Sequence, residues 1–122
     1  MKLELKENMY VRNCYGRIAK IEYIEDNTAY CDNWLYQSYE DHITFINLDD
    51  EEDINEILKA SYNIIDILEK GDYVNRNRVI AIFKDYIEVI GEFEEHLTYG
   101  NKDIKSVITH EQMERMSYKV GD

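Results

Sequence analysis

Proline is absent from the 122 residues and glycine occurs five times, so collagen-type repeats are excluded. With 44% hydrophobic residues the chain is not of the disordered class either. No stretch approaches the roughly 18 consecutive apolar residues of a membrane span. The N-terminus, Met-Lys-Leu-Glu-Leu-Lys-Glu-Asn, alternates polar with apolar residues and lacks the apolar core of about 7 to 15 residues that a secretory signal needs. A cytoplasmic protein is expected. Cysteine is limited to Cys14 and Cys31, which are 31 − 14 = 17 positions apart. Without a Cys-x-x-Cys pair they lack the spacing of a structural zinc site, and in a reducing compartment both stay free.

Basic residues are also scarce, 14 Lys and Arg against 26 Asp and Glu, for a formal net charge of −12. A phosphate backbone or an anionic lipid surface is repelled by such a chain, whereas a positively charged protein surface is attracted. The expected partner is therefore a basic protein, with no direct nucleic-acid contact and no membrane contact. At this length the chain can hold one ordinary core or two very small ones.

A weak internal duplication organises the sequence. Leu5-Lys6-Glu7-Asn8-Met9-Tyr10-Val11 resembles Leu68-Glu69-Lys70-Gly71-Asp72-Tyr73-Val74 at an offset of 74 − 11 = 63. Arg17-Ile18-Ala19-Lys20-Ile21 then aligns with Arg78-Val79-Ile80-Ala81-Ile82 at an offset of 61, and Ile54-Asn55-Glu56-Ile57 with Met113-Glu114-Arg115-Met116 at 59. Each copy predicts an extended segment ending in Tyr-Val, then a hairpin. The first hairpin turns at Glu25-Asp26-Asn27 and the second at Lys84-Asp85, flanked by β-branched and aromatic residues. A short final strand is expected over residues 43–46 and again over 104–108. Short strands joined by turns predict small barrels or a curled sheet.

After each final strand the apolar period changes. Ile54, Ile57, Leu58, Tyr62, Ile65 and Leu68 fall along one face of a helix or of a helix plus turn, preceded by the acidic run Asp49-Asp50-Glu51-Glu52-Asp53 that favours a helix start. Thr109 with Gln112 has the spacing of a capping box opening a C-terminal helix. The expected architecture is mainly β with short helices: two related SH3-like small barrel units joined by an acidic-capped helix, with a single fused domain as the other arrangement. The boundaries are 1–48 for the first unit, 49–66 for the connecting helix, and 67–122 for the second unit with its terminal helix.

Two segments, Asp66-Ile67-Leu68-Glu69-Lys70-Gly71-Asp72-Tyr73-Val74 and Asp103-Ile104-Lys105-Ser106-Val107-Ile108-Thr109-His110-Glu111-Gln112, carry a resemblance to small uncharacterised proteins of phages and prophages of low-GC Gram-positive bacteria. Those proteins have a similar run ending in Gly-Asp-Tyr-Val-Asn and a similar tail. The chain departs from them at Asn75-Arg76-Asn77-Arg78, where a glycine-containing turn is the commoner form. The resemblance brings no catalytic residue. It implies an accessory protein of the kind that includes anti-CRISPR and other anti-defence inhibitors.

No motif of catalysis is present. His42, His96 and His110 form no metal-ligand spacing, the serines lack the glycine flanks of a strained nucleophile, and the glycines form no phosphate-cradling loop. No cofactor, no metal site and no enzyme activity are expected. The informative feature is tyrosine, which occurs eleven times. Trp34, Tyr36 and Tyr39 stand beside Glu40 and Asp41, and Tyr99 closes the acidic stretch containing Glu92, Glu94 and Glu95. Tyrosine and tryptophan supply large contact area with few rotors, and carboxylates spaced along a strand approximate the spacing of phosphates. These residues, with Asp49, Asp50, Glu51, Glu52 and Asp53, form the expected partner-binding set. The expected function is non-enzymatic inhibition of a host nuclease or other nucleic-acid-targeting protein by acidic mimicry. The alternatives are a self-assembling accessory protein using the same tyrosines and a small metal-dependent hydrolase using scattered carboxylates.

Overall fold

The computed structural model describes residues 4–32 and 43–120, with side chains through residue 115. Its strands are β1 (Tyr10–Asn13), β2 (Ile18–Glu25), β3 (Thr28–Asp32), β4 (Phe45–Asn47), β5 (Ile57–Ser61), β6 (Tyr73–Val74), β7 (Asn77–Ile82), β8 (Ile87–Ile90), β9 (His96–Tyr99) and β10 (Val107–Ile108). Helix α1 (Glu51–Glu56) precedes β5, and α2 (His110–Val120) follows β10. The strands form two five-stranded sheets, ordered β4-β3-β2-β1-β5 and β10-β6-β7-β8-β9. Every paired neighbour is antiparallel. Each sheet is a four-strand meander whose fifth strand returns to pair with the first.

The pairing registers reveal the duplication more exactly than the residue identities do. Val11 pairs with Ala19, and Val74 pairs with Asn77, so the second strands align at 77 − 19 = 58 rather than at the 61 suggested by residue identity. At 58, Ile21 matches Val79 and Ile24 matches Ile82. Each hairpin then carries a bulge, followed by three residue pairs before its turn. Since strand side chains alternate between faces, a register that matched Ile18 with Val79 would put a residue of the outer face onto the inner one. The first hairpin connection is thus 63 − 58 = 5 residues longer than the second, and those extra residues include Arg12 and Ile18.

Turn chemistry supports the tight connections. Asp26 and Asn27 have φ of 51° and 59°, and Asn75 and Arg76 have φ of 50° and 71°. Positive φ at both central residues is the geometry that follows the twist of the flanking strands. The Asn75-Arg76 loop therefore makes, without glycine, the turn that usually contains one.

Two apolar cores result. The first sheet buries Leu5, Val11, Ala19, Ile21, Ala29, Ile43, Ile46 and Ile57; the second buries Val74, Val79, Ile87, Val89, Ile104 and Val107. Ile64, Ile65, Ile67 and Leu68, at most 2% exposed, complete the second core from a 3-10 turn, Ile64–Ile67. Ile18 also belongs to this second core, although its strand belongs to the first sheet. The outer face of β2 is thereby covered at its first residue, while Tyr23 farther along is 44% exposed.

The segment 49–66 is not the continuous connecting helix expected. Helix α1 stops after six residues, and residues 57–61 become β5 because β1 has a second edge whose backbone groups need partners. Leu58 and Tyr62, which a helix would have buried with Ile57, are 54% and 55% exposed. The crossing between sheets instead lies within residues 62–72. The expected equivalence of the strands around 43–46 and 104–108 is corrected likewise: by topology β4 corresponds to β9, and β10 to β5.

Candidate functional site

The acidic run at α1 is built into the fold. Asp50 caps the helix, its carboxylate accepting the Glu52 N–H at 2.9 Å. Asp53 accepts the Asn47 N–H at 3.0 Å, and Asp49 accepts from the Asn27 side-chain amide at 3.2 Å. Asp49, Asp50, Glu51 and Glu52 remain exposed, with Asp53 half-buried. The group belongs to the first unit.

The acidic turn between β8 and β9 belongs to the second unit. It lifts Phe93 to 85% exposure, the largest value among the exposed apolar side chains described. Its geometry is fixed: Glu95 accepts the Phe93 N–H at 3.0 Å, and the Glu94 N–H donates to the Gly91 carbonyl at 3.0 Å. Glu94 takes a left-handed φ of 63°, a conformation costing a non-glycine residue about 1–2 kcal/mol. Phe93 thus stands between Glu92 and Glu94 on a turn held by Glu95. Tyr99, expected in the partner-binding set, is half-buried: it packs against the second core, and its hydroxyl accepts from Asn77 at 2.8 Å. Its register opposite Ile87 turns it inward. Trp34, Tyr36, Tyr39, Glu40 and Asp41 lie outside the described residues.

An aromatic row escaped the sequence reading. Tyr23 pairs with Tyr30, and Tyr30 with Phe45, across β2, β3 and β4. The two tyrosine rings stack at 4.8 Å between centroids, and all three side chains are 38–57% exposed. Phe83 and Tyr86 form a second stacked pair, at 4.6 Å, beside the turn of the equivalent hairpin. Period-two alternation was the available signal, since Ile24, Ala29 and Ile46 form the adjacent row that packs toward the core.

A polar network also went unread. Arg12, fully buried, reaches Asp72 from both terminal nitrogens at 2.6 and 3.0 Å and Glu111 at 2.6 Å. Asp72, equally buried, also accepts the backbone N–H groups of Glu69 and His110. His110 Nε2 meets Glu69 at 2.8 Å, and Lys59 meets the other Glu69 oxygen at 3.2 Å. The capping box is formed, with the Thr109 N–H donating to Gln112 and the Gln112 N–H to Thr109. The Thr109 hydroxyl donates to the Gly16 carbonyl at 2.6 Å, tying α2 to the first unit's long hairpin.

The charges in this network set its ionisation. Burial works against the Arg12 charge, but the bonds to Asp72 and the neighbouring carboxylates outweigh it and raise the guanidinium. Burial would also lift Glu69, yet the His110 bond, Arg12 and Lys59 hold it below the ordinary carboxylate range. For His110, burial favours the neutral ring, but Glu69, Glu111 and Asp72 prevail over that and over Arg12, raising it. Elsewhere, burial pushes the Cys31 thiol up to about 12, while Cys14 is exposed; both are free.

Glu69, His110 and Glu111 bring ligand atoms within 4.8 Å of one another, the one such group among the described residues. A divalent cation there would have to compete with Arg12 and Lys59 for the same carboxylates. The group is accounted for as the charge network that joins α2 to both sheets.

The chain matches no family model, no curated protein and no solved structure. Among the described residues, no helix is long and apolar enough to cross a membrane.

Proposed function

We propose that the chain is a non-enzymatic protein-binding module whose partner is a basic protein. The observation that carries this reading is Phe93, 85% exposed on a turn braced by Glu95 and flanked by carboxylates. A solvated phenylalanine on a preorganised turn suits an anchor entering a partner's apolar pocket, and the surrounding acids suit a basic rim. The net charge of −12 supports the same choice of partner. The repeated order of a four-strand meander closed by a fifth strand supports reading each unit as an SH3-like barrel.

The more specific reading is an accessory inhibitor of phage type, acting in the host cytoplasm on a nucleic-acid-targeting nuclease or effector. Its acidic surface would occupy the groove of Lys and Arg that otherwise holds phosphates, and its aromatic side chains would add contact that salt does not screen. The charge balance and the resemblance of residues 66–74 and 103–112 support it.

The test is capture of proteins from bacterial lysate by the tagged chain at low and high salt, repeated with Phe93→Ala and with Glu92→Gln/Glu94→Gln. The expected result is a basic nucleic-acid-handling protein, retained at low salt and lost with either variant. Unchanged capture by both variants overturns the reading. A salt-insensitive oligomer of the bait alone would instead favour self-assembly through the exposed Tyr23, Tyr30 and Phe45 row.

A further inference from the structure

Beside α1 lies a cleft of about 430 Å³ with a division of character along its depth. Leu5, Leu48 and Ile54 supply apolar lining, and Glu4, Asp49 and Glu51 supply carboxylates. The apolar groups belong to the top of the first core: Leu5 is buried there, and Leu48 and Ile54 pack against it. Glu4, Asp49 and Glu51 are exposed.

Each part is placed by local structure. Glu51 and Ile54 are three positions apart on α1, which puts them on one helical face, the carboxylate one turn before the apolar group. Asp49 is held in the approach to α1 by the Asn27 side chain, and its own N–H donates to Asn47 at 3.0 Å. One hydrogen bond leaves a carboxylate with further acceptor capacity.

We propose that this cleft receives a lysine or arginine side chain of the partner protein, an inference that rests on the protein-binding reading above. Such side chains lay a hydrocarbon stem on apolar surface and keep a charged head at a polar edge, the order in which this cleft is built. The volume falls within the roughly 300–1,000 Å³ of ordinary ligand clefts. A bound metal ion is the poorer occupant, because ligand oxygens of Glu4, Asp49 and Glu51 do not converge within 4.8 Å as those of the Glu69 group do. Carboxylates spread around an apolar floor suit a cation that arrives on a carbon chain.

The experiment is an NMR titration of the isotope-labelled full chain at low salt with Nα-acetyl-lysine methylamide. The uncharged Nα-acetyl-norleucine methylamide serves as control. The expected result is saturable shifts confined to residues lining the cleft, absent with the norleucine compound and weakened several-fold in Glu4→Gln/Asp49→Asn and in Ile54→Ser. Equal shifts with norleucine, shifts spread over the whole acidic surface, or no response to Ile54→Ser overturns the inference. The two readings separate cleanly. If the lysine probe fails while the Glu4→Gln/Asp49→Asn chain still captures a basic protein through Phe93, the cleft is wrong and the protein-binding reading stands. If the probe seats in the cleft but no basic protein is captured, the cleft's preference for a cation on a carbon chain stands, and its assignment to a partner protein fails with that reading.

Discussion

Arg12 and Asp72 are 60 positions apart, lie in different units, and meet in a two-pronged contact at 2.6 and 3.0 Å with neither side chain exposed. Arg12 arrives on the strand face opposite Val11 and Asn13, in the part of the first hairpin that the second copy lacks. What distinguishes the two copies is therefore what joins them.

Removing one partner strands the other's charge away from water. Asp72→Ala and Arg12→Ala should each cost about 3–5 kcal/mol, whereas Arg12→Met with Asp72→Leu should recover much of that loss. Urea denaturation of the four proteins checks it. If the double variant is as unstable as the sum of the single variants, the contact is not an isolated charge pair.

The legible and illegible parts of the fold divide on the same ground. The hairpins could be read because alternation and turn residues are local. Residues 57–61 could not, since their helical apolar spacing is overridden by the free edge of β1. Arg12 in Tyr10-Val11-Arg12-Asn13 reads as an outward residue of a strand, as it is; nothing local says that a second unit covers that face. Asp49, Asp50 and Asp53 were legible as a helix start, and their carboxylates do hold the turn and cap. Phe93 was legible only as part of an acidic and aromatic stretch, because its exposure depends on where the β8–β9 turn projects.

His110 gives the network a pH dependence of definite sign. Its folded pKa is raised, so the stability it contributes is present in full below its ordinary value near 6.5 and is lost as pH rises through the folded value. Glu69 contributes in the opposite sense, above the ordinary carboxylate range, and loses its contribution only in acid. The parent chain should therefore lose stability relative to His110→Gln as pH rises from about 6 to 8. Melting temperatures of both across that interval check it, and a constant difference between them contradicts the assignment.

Arg76 occupies a left-handed turn position without being glycine. Replacing it by glycine should remove backbone strain and stabilise the chain by about 1 kcal/mol, with no side-chain contact needed to explain the gain. The equivalent change at Asn27 should yield less, because asparagine tolerates this conformation and Asn27 also holds Asp49. Denaturation midpoints of the two variants compare them directly.

Gly16 and Gly71 separate the backbone cost of a positive φ from the cost of crowding. Their φ values are 76° and 93°, both unsuited to a residue with a Cβ. At Gly71 an added Cβ would meet the His110 Cβ at 3.5 Å, an ordinary contact. At Gly16 it would lie 2.6 Å from the Glu111 Cβ, so the loop and α2 would have to part. That movement also pulls the Gly16 carbonyl from the Thr109 hydroxyl and Glu111 from Arg12. Gly71→Ala should therefore cost about 1–2 kcal/mol, whereas Gly16→Ala should cost clearly more. Only the Gly16 variant should increase hydrogen exchange at the first turn of α2. Equal losses of stability with unchanged exchange in both would show that α2 does not depend on its seat against the long hairpin.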